Sequence, residues 1–413
     1  MENSVFVGID WANDNHQVCV VDAVGNKMAE FSVEHSASGM EQLAVRLLEL
    51  AHEPQRCSVA IELNRGAIVE GLLERGFKVF GINPKQTDRF RDRHGPAGAK
   101  DDRRDAYVLG DALRTDRHRF RQLELGEPLI IQLREASRTH DELRDDLAAL
   151  ANRLREQLHR YFPQLLKLSP AANEPWLWAL LLKAPTPHKA RRLRKGQLAK
   201  ILKVHRIRRF SAAELHQALA LPALKLAAGS VEAASEHVLS LIPRLRTNHE
   251  QLRLCDRRLE EILNQLTQNE PSSDSEPIEH RDAAILLSLP GVGKLNGAAM
   301  LAEAFQPLRD RDYYTLRNLS GVAPVTRQTG KRRVVLMRRA CNPRLRDAIH
   351  TWAACSIQND ESSKLFYRAC RARGLKHAHA LRSLGDHLLR ILFAMLRDRT
   401  LYDASRSHAS NAA

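Results

Sequence analysis

The stretch Val5-Phe6-Val7-Gly8-Ile9-Asp10 alternates, is rich in β-branched residues and ends on an acid, the pattern of a half-buried strand. His16 to Ala23 repeats the pattern, Asp22 to Lys27 supplies a turn, and Lys27 to Glu34 supports a third strand. Three short strands in succession form an antiparallel meander. Beyond it, Gly39 to Leu50 carries apolar residues at helical spacing (Met40, Leu43, Leu47, Leu50). Cys57 to Leu63 reads as a short buried strand with Glu62 near its end. Ala67 to Arg75 reads as a helix stopped by Gly76, and Lys78 to Asn83 as a strand closed by Pro84. A polar linker, His94 to Ala99, leads into a helix from Asp101 to Arg114.

The order β-β-β-α-β-α-β-α fits an α/β ribonuclease-H-like (RuvC-like) domain over residues 1–125. From about Leu129 the period changes. Leu133, Ala136, Leu143, Leu147, Leu150, Leu154 and Tyr161 follow three- and four-residue steps, with His140 in one slot. A matching seam, Leu245, Leu252, Leu259 and Leu266, runs through Val231 to Gln268, and Pro243 is expected to kink its start. The two helices can pair as an antiparallel hairpin or with another subunit. Residues 126–275 are thus a coiled-coil and basic middle region. Glu270 to Pro277 reads as a linker, 276–404 as an all-α C-terminal domain, and 405–413 as a disordered tail.

The chain has 413 residues, 43% of them hydrophobic and 27% charged, enough for two or three domains with real cores. Its 64 Lys and Arg against 49 Asp and Glu leave a formal charge of +15. Such a surplus favours a polyanion, because each cation displaces counterions from phosphates. No apolar run reaches 18 residues and no signal-peptide pattern is present, so a cytoplasmic protein away from membranes is expected. Cys19, Cys57, Cys255, Cys341, Cys355 and Cys370 form no C-x-x-C pair and no zinc spacing, and read as reduced thiols.

Cutting a phosphodiester with two Mg²⁺ ions requires at least three hard oxygen ligands on rigid elements. Asp10 ends the first strand and is expected on the solvent-exposed side of the sheet. Glu62 stands at the end of an apolar strand, where an unpaired carboxylate is costly. Asp102 and Asp105 share one helix face. Together Asp10, Glu62, Asp102 and Asp105 make a candidate catalytic and metal set for two Mg²⁺ ions, with Mn²⁺ able to substitute. A lone strand-end Asp is more often a turn former, and Asp101 to Asp105 can be simply a solvated helix start.

Two basic runs suit phosphates. His188 to Phe210 holds Lys189, Arg191, Arg192, Arg194, Lys195, Lys200, Lys203, Arg206, Arg208 and Arg209 without an acid. Arg327 to Arg346 holds Arg327, Lys331, Arg332, Arg333, Arg338, Arg339, Arg344 and Arg346, also without an acid. Few aromatics accompany them, so base stacking is not signalled. Pro290-Gly291-Val292-Gly293-Lys294 reads as the turn of a helix-hairpin-helix, in which Gly291 and Gly293 would let backbone amides approach a phosphate, although many such hairpins only pack.

These segments resemble a known family. GIDWANDNHQVCVVDAVG (8–25), AIELNRG (60–66), FGINPKQTDRFRDR (80–93) and AKDDRRDAYVLGDAL (99–113) are similar to the DEDD-type insertion-sequence transposases, the insertion sequence family one-hundred-ten with the Piv and MooV invertases. LLSLPGVGKLNGAAMLAE (286–303), LRNLSGVAPVTRQTGKRR (316–333) and CNPRLRDAIHTWA (341–353) resemble the family's C-terminal transposase domain. The resemblance puts the four acids on Asp10, Glu62, Asp102 and Asp105. It implies a hydroxyl nucleophile in the turn Gln328-Thr329-Gly330, where the family commonly has serine and this chain has Thr329. Ser320 reads more simply as a helix-end residue. The resemblance also implies double-stranded DNA at element ends and target as substrate, and in some members a structured guide RNA that reads sequence by base pairing.

The expected function is a transposase or site-specific recombinase that cuts and rejoins DNA, working as a homodimer or homotetramer. A Holliday-junction-resolvase-like endonuclease would use the same acids without a covalent link. A catalytically decayed nucleic-acid-binding derivative is the alternative that the threonine allows.

Overall fold

The computed structural model describes residues 4–63, 65–93, 101–268, 281–330 and 332–404. The segments read as linkers (His94–Ala99, Glu270–Pro277), the tail Ser405–Ala413 and Lys331 lie outside the described residues. The chain divides into two compact units, Met1–Glu127 and Pro128–Ala413.

The first unit runs β1 (Val5–Asp10), β2 (Asn15–Val21), β3 (Lys27–Glu34), α1 (Ala37–Ala51), β4 (Cys57–Ile61), α2 (Ala67–Glu74), β5 (Lys78–Gly81), α3 (Pro84–Arg93), α4 (Asp102–Asp116) and β6 (Arg121–Gln122). The sheet order is β3-β2-β1-β4-β5-β6. β1, β4 and β5 are parallel and the other pairings antiparallel. The expected meander is present. Two elements were not anticipated. Pro84 starts α3 instead of ending a segment, since a first helical residue needs no N–H partner. β6 is too short to show alternation.

Alternation sends Val5, Val7 and Ile9 into a core with Val18 and Val20, Leu43 and Leu47 of α1, and Ile68 and Leu72 of α2. The other face, which carries Phe6, Gly8 and Asp10, is not open to solvent as expected. α4 lies across it, and the sheet is covered on both sides, as parallel strands require. The physical cause is small residues in register. A Cβ at Gly8 would stand 1.8 Å from the Ala106 carbonyl oxygen and 2.5 Å from the Gly110 amide nitrogen. A Cβ at Gly110 would in turn meet the Gly8 amide at 3.1 Å. Glycine on both partners lets helix and strand backbones touch.

In the second unit, α5 (Pro128–Tyr161) and α10 (Ser230–Thr267) are the long helices of the seam. They pair with each other inside the chain, antiparallel. Arg258 Nη2 donates to Gln132 Oε1 at 2.6 Å, Cys255 Sγ to the Ala136 carbonyl at 3.2 Å, and His140 Nε2 lies 3.0 Å from Asp256 Oδ1. The seam therefore needs no second copy to be buried. α10 continues through Pro243. One end of the hairpin packs with α6 (Pro175–Lys183), α7 (Pro187–Arg191), α8 (Lys195–Val204) and α9 (Ala212–Ala220) around Tyr161, Trp176 and Trp178. The other end shares a core with α11 (Asp282–Ser288), α12 (Lys294–Glu303), α13 (Phe305–Arg309), α14 (Tyr313–Leu319), α15 (Pro343–Asn359), α16 (Glu361–Ala372) and α17 (His377–Asp398). This region was expected to be all-α. It also carries an antiparallel hairpin, β7 (Val325–Thr329) with β8 (Arg332–Leu336). Arginines and Gln328 mask the β-branched Val325, Thr326, Val334 and Val335, so the sequence showed charge where the structure has strands.

Candidate active site and nucleic-acid surfaces

Parallel strands deliver their side chains at their carboxyl ends, where α/β sheets bind ligands. β1 and β4 pair with Ile9 opposite Ile61, so Asp10 and Glu62 follow side by side at that edge. On the other side of β1, Asp10 is paired with Gln17 of β2, which directs the Gln17 side chain to the same face. The Gln17 Oε1 atom is buried there without a hydrogen-bond partner.

α4 brings the other two acids. Its Ala106 lies on Gly8, two residues before Asp10, so the first turn of α4 reaches toward the Asp10 end of the strand. Asp105 is buried in that turn, while Asp102 is exposed. Asp105 is not free: Arg91 of α3 grips it with Nε to Oδ1 at 2.7 Å and Nη2 to Oδ2 at 2.9 Å. Arg91 also donates to Asp88 at 2.9 Å. These hydrogen bonds, Asp105 first, hold the Arg91 pKa above its ordinary value despite burial. Sequence reasoning missed Arg91 and Gln17. The run Phe90-Arg91-Asp92-Arg93 gave no sign which cation turns inward.

The donors are hard oxygens gathered at one edge, and the orphaned Gln17 Oε1 beside Asp10 is the kind of atom a bound cation or its water would satisfy. The set suits Mg²⁺ in chemistry. It is not closed on an ion: among the described residues no three His, Cys, Asp or Glu groups stand at common ligand distance, and Asp105 is neutralised by Arg91.

In the second unit, Gln328 and Thr329 are exposed at the end of β7, with Gly330 at φ +54° after them. Arg327, Arg332 and Arg333 are exposed on the same hairpin. Ser320 is fully buried at the end of α14 and donates to the Arg317 carbonyl at 3.3 Å, which fits the helix-end reading. In the first basic run, Ala190, Leu193, Leu198 and Leu202 are buried while Arg191, Arg192, Arg194 and Lys195 are exposed. Arg209 is tied to Glu174 at 2.6 Å.

The Pro290–Lys294 turn joins α11 to α12, and Gly291 packs closely against α15. A Cβ there would lie 2.6 Å from the Ser356 amide of α15, so glycine is needed for packing inside the protein. Trp352 Nε1 holds the Pro290 carbonyl at 3.0 Å. Gly293, the residue before α12, has open space where a side chain would be. Lys294 is paired with Glu260 of α10.

A profile described as transposase matches residues 7–163, and one described as transposase IS116/IS110/IS902 family matches residues 283–368. The mini-circle putative transposase for IS117 of Streptomyces coelicolor is 32% identical over 426 residues, covering 98% of this chain and 97% of that protein. The putative transposase y4uE of Sinorhizobium fredii is 49% identical over 209 residues, 50% of this chain and 58% of that protein. The insertion element IS116 44.8 kDa protein of Streptomyces clavuligerus is 27% identical over 409 residues, 96% of both chains. These matches show an enzyme of the transposase class, which implies DNA as its substrate. The chain belongs to the IS116/IS110/IS902 transposase family. No helix among the described residues is long and apolar enough to cross a membrane.

Proposed function

We propose that the chain cuts and rejoins DNA strands during transposition, with Asp10, Glu62, Asp102 and Asp105 as the metal-binding catalytic carboxylates. The observation that carries this is the convergence at one sheet edge. Asp10 ends β1, Glu62 directly follows the parallel β4, and the turn of α4 bearing Asp105 crosses β1 two residues before Asp10. The order 3-2-1-4-5 of the mixed sheet supports the ribonuclease-H-like reading.

Bound Mg²⁺, or Mn²⁺ in its place, would polarise the scissile phosphate and lower the pKa of the attacking hydroxyl. Asp10 and Glu62 hold the site from rigid strand ends, and Asp105 joins them when Arg91 yields it. Thr329 supplies the attacking hydroxyl: its oxygen bonds to phosphorus, the 3′ or 5′ oxygen of the broken strand leaves, and the hydroxyl proton passes to solvent or a general base. Its added methyl crowds in-line attack relative to a serine. Arg327, Arg332, Arg333 and Lys331 position the strand by its phosphates. Gly293 and Lys294 at α12, in a helix-hairpin-helix role, and Arg191, Arg192, Arg194 and Lys195 of the first basic run extend that contact. Exposed cations with few aromatics suit backbone contacts, so we assign sequence choice to base pairing with a structured RNA. Exchange between two duplexes needs several sites, hence a homodimer or homotetramer.

The test is Mg²⁺-dependent nicking of supercoiled DNA carrying the element ends. Asp10→Asn should abolish it while leaving DNA binding intact. Undiminished nicking by that variant would overturn the assignment.

A further inference from the structure

The second unit holds a cluster of cations that the proposed chemistry does not use. Arg346 and His350 lie one turn apart on α15, and Arg382 sits on α17. The two helices touch at this level, since a Cβ at Gly385 would stand 2.9 Å from Ile349 Cγ2 and 3.5 Å from Val322 Cγ1. Val322 lies three residues before the start of β7. After β8, the chain returns to the same place: Cys341 Sγ lies 3.0 Å from where a Gly321 Cβ would be and donates to the Arg338 carbonyl at 3.7 Å. The cluster is therefore at the root of the hairpin that carries Thr329.

Two of its groups are unsatisfied. The His350 Nε2 atom is buried without a hydrogen-bond partner. Arg382 is partly buried, and burial pulls its pKa below the ordinary arginine value, with no carboxylate among the described residues offsetting that. Burial, then the charges of Arg382 and Arg346, push the His350 pKa down as well, against a weaker opposing pull from Asp347. Asp347 is exposed and already takes a hydrogen bond from Arg346 Nε at 2.9 Å. Asp386, one turn along α17 from Arg382, is taken by Tyr313 at 2.7 Å, Arg317 at 2.7 Å and Arg390 at 3.2 Å. A desolvated cation without a counter-charge is unfavourable and persists where an anion completes it.

We propose that Arg382, His350 and Arg346 form a receptor for one phosphodiester group of DNA, placed at the base of the β7–β8 hairpin. A guanidinium presents two parallel N–H donors to phosphate oxygens. A neutral imidazole adds one N–H donor and needs no proton uptake. The receptor fixes the strand beside the hairpin. It rests on DNA being the substrate, and on neither the carboxylates nor Thr329.

The experiment uses the full chain and needs no catalysis. Thermal unfolding is followed in phosphate and in chloride at matched ionic strength, and binding of a short duplex is measured across a salt series. Wild type should melt higher in phosphate. Arg382→Gln should melt no lower than wild type in chloride, because an uncompensated charge is gone, and should gain less from phosphate than wild type does. Its salt dependence of DNA binding should be shallower by about one unit of slope. His350→Phe should weaken binding without changing the slope, because a neutral donor releases no counterion. A lower melting point for Arg382→Gln in chloride with an unchanged slope would make Arg382 a packing residue and overturn the proposal. Phosphate stabilisation with an unchanged DNA slope would overturn the DNA assignment.

Discussion

Arg91 closes on Asp105 through two parallel hydrogen bonds, 2.7 Å and 2.9 Å long, and does so from a helix the sequence had hidden behind Pro84. The Asp105 side chain is 6% exposed and the Arg91 side chain 19%. One of the four acids is thus held by a protein cation at the edge where an ion would bind. Removing the guanidinium leaves a buried acceptor unmet, at a cost of about 1–3 kcal/mol. Arg91→Ala should therefore melt below wild type in a chelator, and added Mg²⁺ should recover more of its stability than it adds to wild type. Equal Mg²⁺ shifts in the two proteins would show that Arg91 and metal do not compete for Asp105.

Gly8 sets the distance between the sheet and α4. A methyl at this position cannot coexist with the Ala106 carbonyl at 1.8 Å, so α4 must move away and carry Asp102 and Asp105 with it. Gly8→Ala should cost at least about 1–3 kcal/mol and suppress strand cleavage together with stability. Gly110→Ala, whose nearest contact is 3.1 Å, should cost less. Denaturant titration ranks the two; a Gly8→Ala protein of unchanged stability would contradict the direct helix-on-strand contact.

Glu303 gives the second unit an acid limit. Burial pushes its pKa up, but the Arg138 and Arg344 charges and hydrogen bonds from Asn342 and Arg138 outweigh this and leave it below its ordinary value. A depressed folded pKa means stability that is present above the unfolded value, about 4.3, and is lost as pH falls through the folded one. Glu303→Gln should lower stability at neutral pH and flatten its decline below about pH 4. A variant with the wild-type acid profile would show that this ion-pair network carries no linkage.

The hairpin arginines make a quantitative claim on DNA. Neutralising Arg327, Arg332 or Arg333 singly should lower duplex affinity alike for all sequences and reduce the salt slope by about one each. A change confined to one sequence would mean base contact instead.

The first unit was readable from its sequence because its strands alternate. Asp10 and Glu62 could be placed at strand ends from Val5–Asp10 and Cys57–Leu63 alone. The position of α4 depended on Gly8 meeting Ala106 and Gly110, a long-range fit of small residues that no local period reports. The same limit hid the inward turn of Arg91 and the packing of Gly291 against α15. The seam of α5 and α10 was plain in its leucines, but whether it closes within one chain is decided by pairs such as Arg258 with Gln132, far apart in sequence. The hairpin β7–β8 was missed because its exposed arginines look like a solvated charge run.

The most direct measurement is cleavage of supercoiled DNA with element ends, Mg²⁺ and the flanking RNA, read on denaturing gels for protein-linked DNA. Wild type, Asp102→Ala, Thr329→Ala and Thr329→Ser run side by side. A covalent adduct in wild type and Thr329→Ser, absent from both alanine variants, is the result expected of a carboxylate site acting with a hydroxyl nucleophile. Cleavage lost in Asp102→Ala but intact and adduct-free in Thr329→Ala would contradict the covalent mechanism and leave a resolvase-like endonuclease.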